Sequence, residues 1–315
     1  MSKFTLKEDS LLFAPMEGIT DAHYRMAIYR CFPEWDLFST DFLRAPTEGR
    51  FPITKAKNHF GNEIFEIDEL KEKTIYQILT ILKAQTEFTV NQIEGLGFKH
   101  IDLNVGCPSR TVNSNGGGSY LLSDLSSLKT IIQTIRKNFP HTFTVKMRVG
   151  YRDDKNFIEA LKMIEGEGVE AITLHARTRD EMYKGVANWD YLKTAGEVLN
   201  IPLIANGDIW TLKDIKKVKE FTNCHSYMIA RGAMKTPWLA KLYREFENNI
   251  DDATDELLLE RRKQYLPIYF KALEEEYRKK TSEDLVILKR FKAFSRYLFD
   301  DFEDGAKIKS TFLRL

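Results

Sequence analysis

The chain lacks the features that mark a disulfide-rich, zinc-binding or membrane-spanning protein. Its 315 residues contain three cysteines, an odd number, and no two of them have the C-x-x-C spacing. This disfavours both a disulfide framework and a zinc site, and it suits a reducing compartment. No apolar run approaches the ~18 residues of a membrane-spanning helix, and the first residues carry no apolar signal core. We therefore expect a cytoplasmic protein that does not enter a membrane.

The chain also has almost no net charge. Lys and Arg number 47 against 46 Asp and Glu, so the formal charge is +1. No overall basic field draws the molecule onto nucleic acid, and any such site must come from local charge asymmetry. No carboxylate or histidine cluster has metal-ligand spacing, which disfavours a metal mechanism.

The chain does contain a regular alternation of short apolar runs with amphipathic segments. The apolar runs predict eight strands, at residues 11–16, 36–42, 74–79, 100–105, 143–149, 171–176, 202–206 and 226–230. The amphipathic segments predict helices at residues 21–29, 86–96, 125–138, 156–166, 189–199 and 212–221. Residues 45–73 are polar and irregular, and no element is assigned to them.

Eight strands alternating with helices over about 240 residues is the count and size of a (β/α)8 barrel, the TIM barrel. The strands are near-continuous apolar runs, as expected where both faces of a strand are buried. The alternative is a doubly wound open sheet, which would need G-x-G-x-x-G after its first strand. The sequence has A-P-M-E-G there, so we predict an α/β TIM barrel.

The remainder of the chain has no strand signal. We therefore expect a barrel domain over residues 1–240 and a small all-helical domain over residues 241–315, with helices at 255–277 and 285–299. The second of these helices is amphipathic, because its apolar residues fall on one face of a helical wheel.

The opposite face of that helix is cationic. It carries Lys289, Lys292 and Arg296, with Arg290 at its edge, and no acidic residue interrupts residues 286–299. Such a stripe is either the solvated face of an amphipathic helix or a surface that contacts the phosphates of a nucleic acid.

The stretch from Ile101 to Leu122 carries the strongest chemical signal. An apolar strand ends there in Gly106-Cys107-Pro108, and a run rich in Gly, Asn and Ser follows. Turn residues at this density predict loop, without helix or strand. Cys107 thus lies just past a strand end, where barrels place their chemistry. The other interpretation is a small buried hydrophobic residue, since free cysteine is often buried.

Polar residues mark the ends of other predicted strands, and in a barrel these ends converge on one mouth. Lys146 lies in V-K-M-R, where burial is costly unless the ammonium meets an anion or a polar ligand. His175, in L-H-A-R, belongs to the same site or is a satisfied core histidine. The last two strands end in N-G-D and A-R-G, and such glycine-containing turns suit a phosphate. Together with Gln77, these residues fit flavin mononucleotide (FMN).

Several segments, taken together and in order, resemble the tRNA-dihydrouridine synthases. They are A-P-M-E-G-I-T-D, D-L-N-V-G-C-P-S-R-T-V-N with its G-G-G, V-K-M-R-V-G, L-H-A-R-T, P-L-I-A-N-G-D-I and M-I-A-R-G-A. The resemblance extends from Leu11 to Trp238, and the helical tail matches in kind. The N-S-N-G-G-G loop and the R-F-K at residues 290–292 are more similar to the C-type bacterial branch.

The resemblance implies an FMN enzyme that reduces the C5–C6 double bond of a D-loop uridine in tRNA, at position 16 in the C-type branch. NADPH, or NADH, would supply the electrons, and Cys107 would be the general acid that protonates C5. The cofactor residues that it implies are Pro15, Met16, Glu17, Gln77, Lys146, His175, Asn206, Gly207, Asp208, Ala230 and Arg231. The residues implied to contact the base or the tRNA are Arg44, Asn104, Arg177, Arg290 and Lys292.

Other interpretations stay open at this point. An FMN-barrel oxidoreductase acting on a small molecule, such as a dihydropyrimidine, would not need the helical tail. A tRNA-binding or folding factor would keep its cellular role without Cys107. A barrel with a different phosphate ligand would be colourless on purification. We expect a monomer whose partner is tRNA, with no metal.

Overall fold

The computed structural model describes residues 6–302 and 304–314, and this part of the chain contains a nine-stranded parallel sheet. Its strands are β1 (Leu11–Phe13), β2 (Leu37–Ser39), β3 (Leu43–Arg44), β4 (Thr74–Leu79), β5 (His100–Val105), β6 (Thr142–Arg148), β7 (Ala171–His175), β8 (Leu203–Asn206) and β9 (Ser226–Ile229). All of the strand pairs are parallel, and consecutive strands from β4 to β9 are neighbours.

The sheet closes on itself. Strand β1 pairs with both β2 and β9, and β2 pairs with β4, so every one of these strands has two neighbours. Strand β3 is a two-residue extension that pairs with the end of β4. The predicted TIM barrel is therefore confirmed, and the open-sheet alternative is wrong.

The barrel is surrounded by helices, and further helices follow it. They are α1 (Ala22–Cys31), α2 (Ile53–Phe60), α3 (Asp68–Glu72), α4 (Thr86–Gly95), α5 (Arg110–Ser114), α6 (Leu125–Asn138), α7 (Phe157–Gly166), α8 (Asp190–Val198), α9 (Leu212–Phe221), α10 (Arg231–Lys235), α11 (Leu239–Phe246), α12 (Asp255–Arg278), α13 (Asp284–Phe294) and α14 (Gly305–Arg314). Among the described residues, none of the helices combines the length and the apolar character needed to cross a bilayer.

Residues 45–73 contain the helices α2 and α3, which the sequence pattern did not place and which bury Phe60 and Leu70 in the core. The prediction of loop alone after Cys107 is wrong, since that segment contains α5 and a 3-10 turn at Gly118–Ser123. These elements are short, and tertiary packing rather than sequence periodicity defines them.

The outer helices bury regular apolar stripes against the barrel. In α6, Leu128, Ile131, Ile132 and Ile135 have the i, i+3, i+4, i+7 spacing of one helical face, and all are buried. Each such side chain stabilises the fold by about 1.5–3 kcal/mol. The Asp124 carboxylate caps this helix by accepting a hydrogen bond from the Ser127 amide.

The interior of the barrel has an apolar side and a polar side. The apolar cluster comprises Leu12, Ala14, Leu37, Ile75, Ala171, Ile204 and Met228. Strands β5 to β7 are not the near-continuous apolar runs that we expected, because alternate positions there are polar. The polar positions are His100, Asp102, Asn104, Thr144, Lys146, Arg148, Thr173 and His175. Successive side chains of a strand point to opposite faces, so these residues share the inner face.

The C-terminal helices pack on α1 and close over one side of the barrel mouth. The Tyr24 ring on α1 lies 4.6 Å from the Phe294 ring on α13, and its hydroxyl lies 3.3 Å from the Tyr269 hydroxyl on α12. The expected domain boundary after residue 240 falls inside α11, which buries Leu242 and Phe246. The predicted helix 285–299 also ends early, at Phe294.

Candidate active site

A cavity of about 510 Å³ opens where the barrel strands end, a size typical of small-molecule and cofactor sites. Cys107 and Asn104 line it. So do all of the predicted cofactor residues, namely Pro15, Met16, Glu17, Gln77, Lys146, His175, Asn206, Gly207, Asp208, Ala230 and Arg231. The fold thus brings together residues that lie far apart in sequence.

One wall of this cavity is aromatic, and none of its aromatic residues was predicted as part of the site. The Tyr183 ring is 54% exposed, and the Arg231 guanidinium lies 5.3 Å from it and 4.8 Å from the Trp210 ring. Arg296 and Tyr297, beyond α13, complete this side. An aromatic residue soon after L-H-A-R-T was visible in the sequence, but the docking of the C-terminal helices has no sequence pattern.

Of the residues predicted to contact the base or the tRNA, Arg177 is placed differently from what we expected. Arg177 does not face the cavity, because its side chain is 1% exposed and is paired with Asp208. It also donates to the carbonyls of Lys184 and Gly185. Arg44 is exposed on β3, outside the cavity lining, with its guanidinium 5.9 Å from the Phe42 ring. Arg177 is therefore a structural element of the mouth.

The cationic face of α13 also differs from the expectation. Arg290 has a counter-charge, because it forms an ion pair with Asp21 at the start of α1. Its guanidinium also donates to the Gly18 carbonyl at 2.9 Å. Lys292 is partly exposed, and no carboxylate within residues 6–302 and 304–314 pairs with it. Arg290 is thus a tie between α13 and the loop after β1, whereas Lys292 is available to a ligand.

Cys107 lies in a tightly bonded turn at the edge of the cavity. Its amide donates to Asn104 Oδ1 at 2.9 Å, and its carbonyl accepts from the Ser119 hydroxyl at 2.9 Å. The backbone of Gly118 packs closely against Cys107. Its φ is +57°, and a Cβ at this position would lie 2.8 Å from the Cys107 carbonyl oxygen. The G-G-G run therefore supplies the one residue type that this close approach permits.

The thiol of Cys107 is protonated at neutral pH. Burial raises its pKa and nearby Glu17 adds to the effect, while a backbone hydrogen bond from Ser109 and the more distant Arg44 and Arg148 oppose it. A raised pKa means that the neutral thiol is the dominant form below that value. Such a group can donate a proton, in contrast to the low-pKa cysteines that act as nucleophiles.

Lys146 and His175 lie side by side on neighbouring strands. Lys146 Nζ donates to Asn206 Oδ1 at 3.2 Å, and the Asn206 amide is fixed by the Met228 carbonyl at 2.7 Å. Burial lowers the pKa of Lys146 to about 8, with Arg148 adding to this and Asp102 opposing it. Burial and the surrounding cations lower the pKa of His175 well below its ordinary value. The cavity therefore holds a cation beside a neutral imidazole.

The turns after β8 and β9 form one corner of the cavity, which both Gly207 and Gly232 line. Gly207 has φ +115°, and a Cβ there would lie 2.9 Å from the His175 ring. A Cβ on Gly232 would lie 2.3 Å from the Ile209 carbonyl oxygen. Only glycine fits either position, because the surrounding protein packs closely against the backbone.

Asp208 organises this corner rather than binding an anion itself. Its carboxylate contacts Arg177 at 2.5 Å and Arg231 at 2.6 Å, and it accepts from the Ala187 amide at 2.8 Å. Burial alone would raise its pKa, but the two guanidiniums and the amide hold it below the usual range. Arg231 is thereby fixed with its charge facing the cavity.

Fold and site together define a TIM-barrel protein with a polar, cofactor-sized cavity at the carboxyl ends of its strands. Residues 12–310 match the family described as Dihydrouridine synthase (Dus). The chain belongs to this family, and it is therefore an oxidoreductase.

Similar curated proteins agree with this assignment. The chain is 38% identical over 242 residues to a tRNA-dihydrouridine(16) synthase of Neisseria meningitidis serogroup B, covering 76% of this chain and 72% of that protein. It is 33% identical over 235 residues to a tRNA-dihydrouridine(16) synthase of Shewanella oneidensis, covering 73% of each.

Solved structures are similar in fold alone. A 2-naphthoyl-CoA reductase complex matches with a TM-score of 0.55 at 12% identity, covering 75% of this chain and 50% of that one. A variant of NCR from Zymomonas mobilis matches with a TM-score of 0.53 at 12% identity, covering 75% and 86%.

The protonated thiol makes a prediction about alkylation. The thiolate is the reactive form, so Cys107 in the native protein should react slowly with iodoacetamide at neutral pH. Because its pKa lies above the ordinary 9.0, the rate should still be rising above pH 9. Peptide mass spectrometry identifies the labelled site, and the Cys107→Ser variant is the control. A rate that levels off near pH 7 would show a low-pKa cysteine and contradict the assignment.

Proposed function

We propose that this protein is a tRNA-dihydrouridine synthase, which reduces the C5–C6 double bond of a uridine in tRNA with bound FMN. NADPH is the proposed source of electrons. One observation carries the proposal: a protonated thiol and an arginine-glycine anion corner lie in the same cavity. Membership of the Dus family and the names of the relatives support tRNA as the substrate.

The cavity fits FMN in size and in the chemistry of its walls. The phosphate would lie in the corner that Arg231 faces, where Gly207 and Gly232 line the cavity without side chains. Pro15 and Met16 provide an apolar strip along the loop after β1, where a planar ring can lie. When bound, FMN would supply the hydride for the reduction.

Lys146 and Gln77 would contact the ring. Lys146 is held by Asn206, and it would stabilise negative charge on the electron-rich edge of the ring through its ammonium. Gln77 donates one amide hydrogen to Asp102 at 2.8 Å, which leaves the other to donate toward the cavity. His175, which burial keeps neutral, would contact the cofactor without adding charge.

Cys107 would deliver the proton. Reduction of the double bond at C6 leaves negative charge at C5, and C5 must then accept a proton from an acid at the opposite face of the base. The S–H bond of Cys107 breaks, its proton bonds to C5, and the thiolate left behind regains a proton from solvent. Asn104 keeps one free amide hydrogen, since the other is donated to Gln77, and this hydrogen would bond to the base.

The tRNA would approach across β3 and α13. Arg44 on β3 and Lys289 and Lys292 on α13 are at least partly exposed, and they have no carboxylate partner among the residues that the structure describes. The target base must leave its stack to enter the cavity, at a cost of a few kcal/mol that phosphate contacts can offset. The relatives named tRNA-dihydrouridine(16) synthase support position 16 in the D-loop as the target.

Replacing the acid should separate chemistry from binding. Cys107→Ala should retain flavin and tRNA but reduce turnover of the tRNA uridine by about 10²- to 10⁴-fold, the usual contribution of a positioned acid. Single-turnover kinetics with pre-reduced enzyme measures this loss. Cys31→Ala, on α1 and away from the cavity, is the matched control and should turn over normally. An unchanged rate in Cys107→Ala would remove Cys107 from this role.

Arg290 and Lys292 of α13 should behave differently. Lys292→Glu should weaken tRNA binding and reduce the slope of log K against log salt by about one, because one phosphate contact is lost. Arg290→Gln should instead lower the melting temperature, because its bonds to Asp21 and Gly18 tie α13 to the barrel. The control is Lys162→Glu, the same charge change at an exposed position of α7. Equal salt slopes for Lys292→Glu and this control would contradict the proposed tRNA surface.

A further inference from the structure

Asp102 is a buried carboxylate that the proposed reaction does not use. It lies on β5 inside the barrel, is 2% exposed, and is absent from the cavity lining. Its carboxylate accepts hydrogen bonds from Gln77 Nε2 at 2.8 Å and from Thr144 Oγ1 at 2.7 Å. A carboxylate buried in this way is costly to desolvate, and its hydrogen bonds must offset that cost.

A chain of hydrogen bonds runs from this carboxylate to the loop that carries Cys107. Gln77 donates to Asp102 through Nε2, and its Oε1 accepts from Asn104 Nδ2 at 2.8 Å. Asn104 Oδ1 in turn accepts from the Gly106 amide at 3.0 Å and from the Cys107 amide at 2.9 Å. Every bond in the chain points the same way, toward Asp102.

We propose that Asp102 is a positioning residue that fixes the direction of this chain and thereby holds the backbone of Cys107 in place. The proposal that this positioning serves proton transfer rests on the proposed function. The positioning of the loop itself is independent of that function, because it depends only on contacts within the protein.

Direction matters here because side-chain amides can be turned around at little cost in shape. Both oxygens of the Asp102 carboxylate accept hydrogen bonds, from Gln77 Nε2 and from Thr144 Oγ1, and the two backbone amides at the other end of the chain offer only donors. With both ends fixed, Gln77 and Asn104 each have one orientation that satisfies every bond. Asp102→Asn replaces an end that only accepts with an amide that can also donate. The reversed chain, which points the Asn104 amino group at the N–H groups of the loop, is then no longer excluded at position 102 and becomes populated. In that orientation, the Asn104 amino group and the loop N–H groups are all donors, so the Gly106 and Cys107 amides lose their hydrogen bonds to Asn104.

The test is hydrogen–deuterium exchange of the Gly106 and Cys107 amides in the full chain without tRNA. Asp102→Asn should raise both exchange rates by about tenfold, as expected when the bonds that protect an amide are lost. The matched control is Thr144→Val, which removes the other bond to Asp102 and leaves the chain intact. Its exchange rates at the two amides should stay within about twofold of the wild type.

A swapped pair provides the rescue. In Asp102→Asn combined with Gln77→Glu, the new carboxylate at position 77 accepts from both neighbours, so Asn104 keeps its orientation. Exchange at the two loop amides should return to near the wild-type rate, although a donor toward the cofactor is lost. Unchanged exchange in Asp102→Asn, or a folded double variant without rescue, would overturn the proposal.

Two further measurements keep the result decisive. If Asp102→Asn does not fold, Gln77→Met removes the middle of the chain with little change in shape, and it should also speed exchange at Gly106 and Cys107. Unaltered rates in that variant would equally overturn the proposal.

Turnover is measured separately. Fast exchange in Asp102→Asn together with inactivity of the wild type on tRNA would contradict the proposed function and leave the positioning role standing.

Discussion

Asp102 and Lys146 lie on neighbouring strands inside the barrel, where neither charge is stable alone. Burial raises the pKa of Asp102 to about 7 and lowers that of Lys146 to about 8, and each charge opposes the shift of the other. The Asp102 carboxylate also accepts hydrogen bonds from Gln77 and Thr144, and the Lys146 ammonium donates one to Asn206. The polar side of the barrel interior depends on this mutual compensation.

That polar side explains the layout of the cavity. Strands β5 to β7 and the loop after β5 place a cation, a neutral imidazole and a protonated thiol along the cavity wall, and the turns after β8 and β9 place Arg231 and two glycines in the same cavity. The C-terminal helices then complete the mouth, since Arg296 and Tyr297 line the same cavity. The tie between Arg290 and Asp21 connects this helical cover to the loop that carries Met16 and Glu17.

Periodicity predicted the regular elements well. The bounds of β4 and β5, and of α6 and α9, match the predicted ranges, because the two helices carry regular apolar stripes and apolar residues recur along the two strands. Helix α5 was missed because Asn and Gly residues surround it, and such residues ordinarily mark loops. The site motifs were located because strand ends meet in a barrel. The pairing of Arg290 with Asp21, across 269 positions, has no local signal, and neither does the pairing of Arg177 with Asp208.

The most direct measurement is the absorbance spectrum of the purified protein under anaerobic conditions. The protein should show visible flavin bands that bleach when NADPH is added. The bands should return when unmodified tRNA follows, and they should stay bleached when fully dihydrouridine-modified tRNA is used instead. A colourless protein that takes up no added FMN, or a bleached enzyme that unmodified tRNA leaves unchanged, would contradict it.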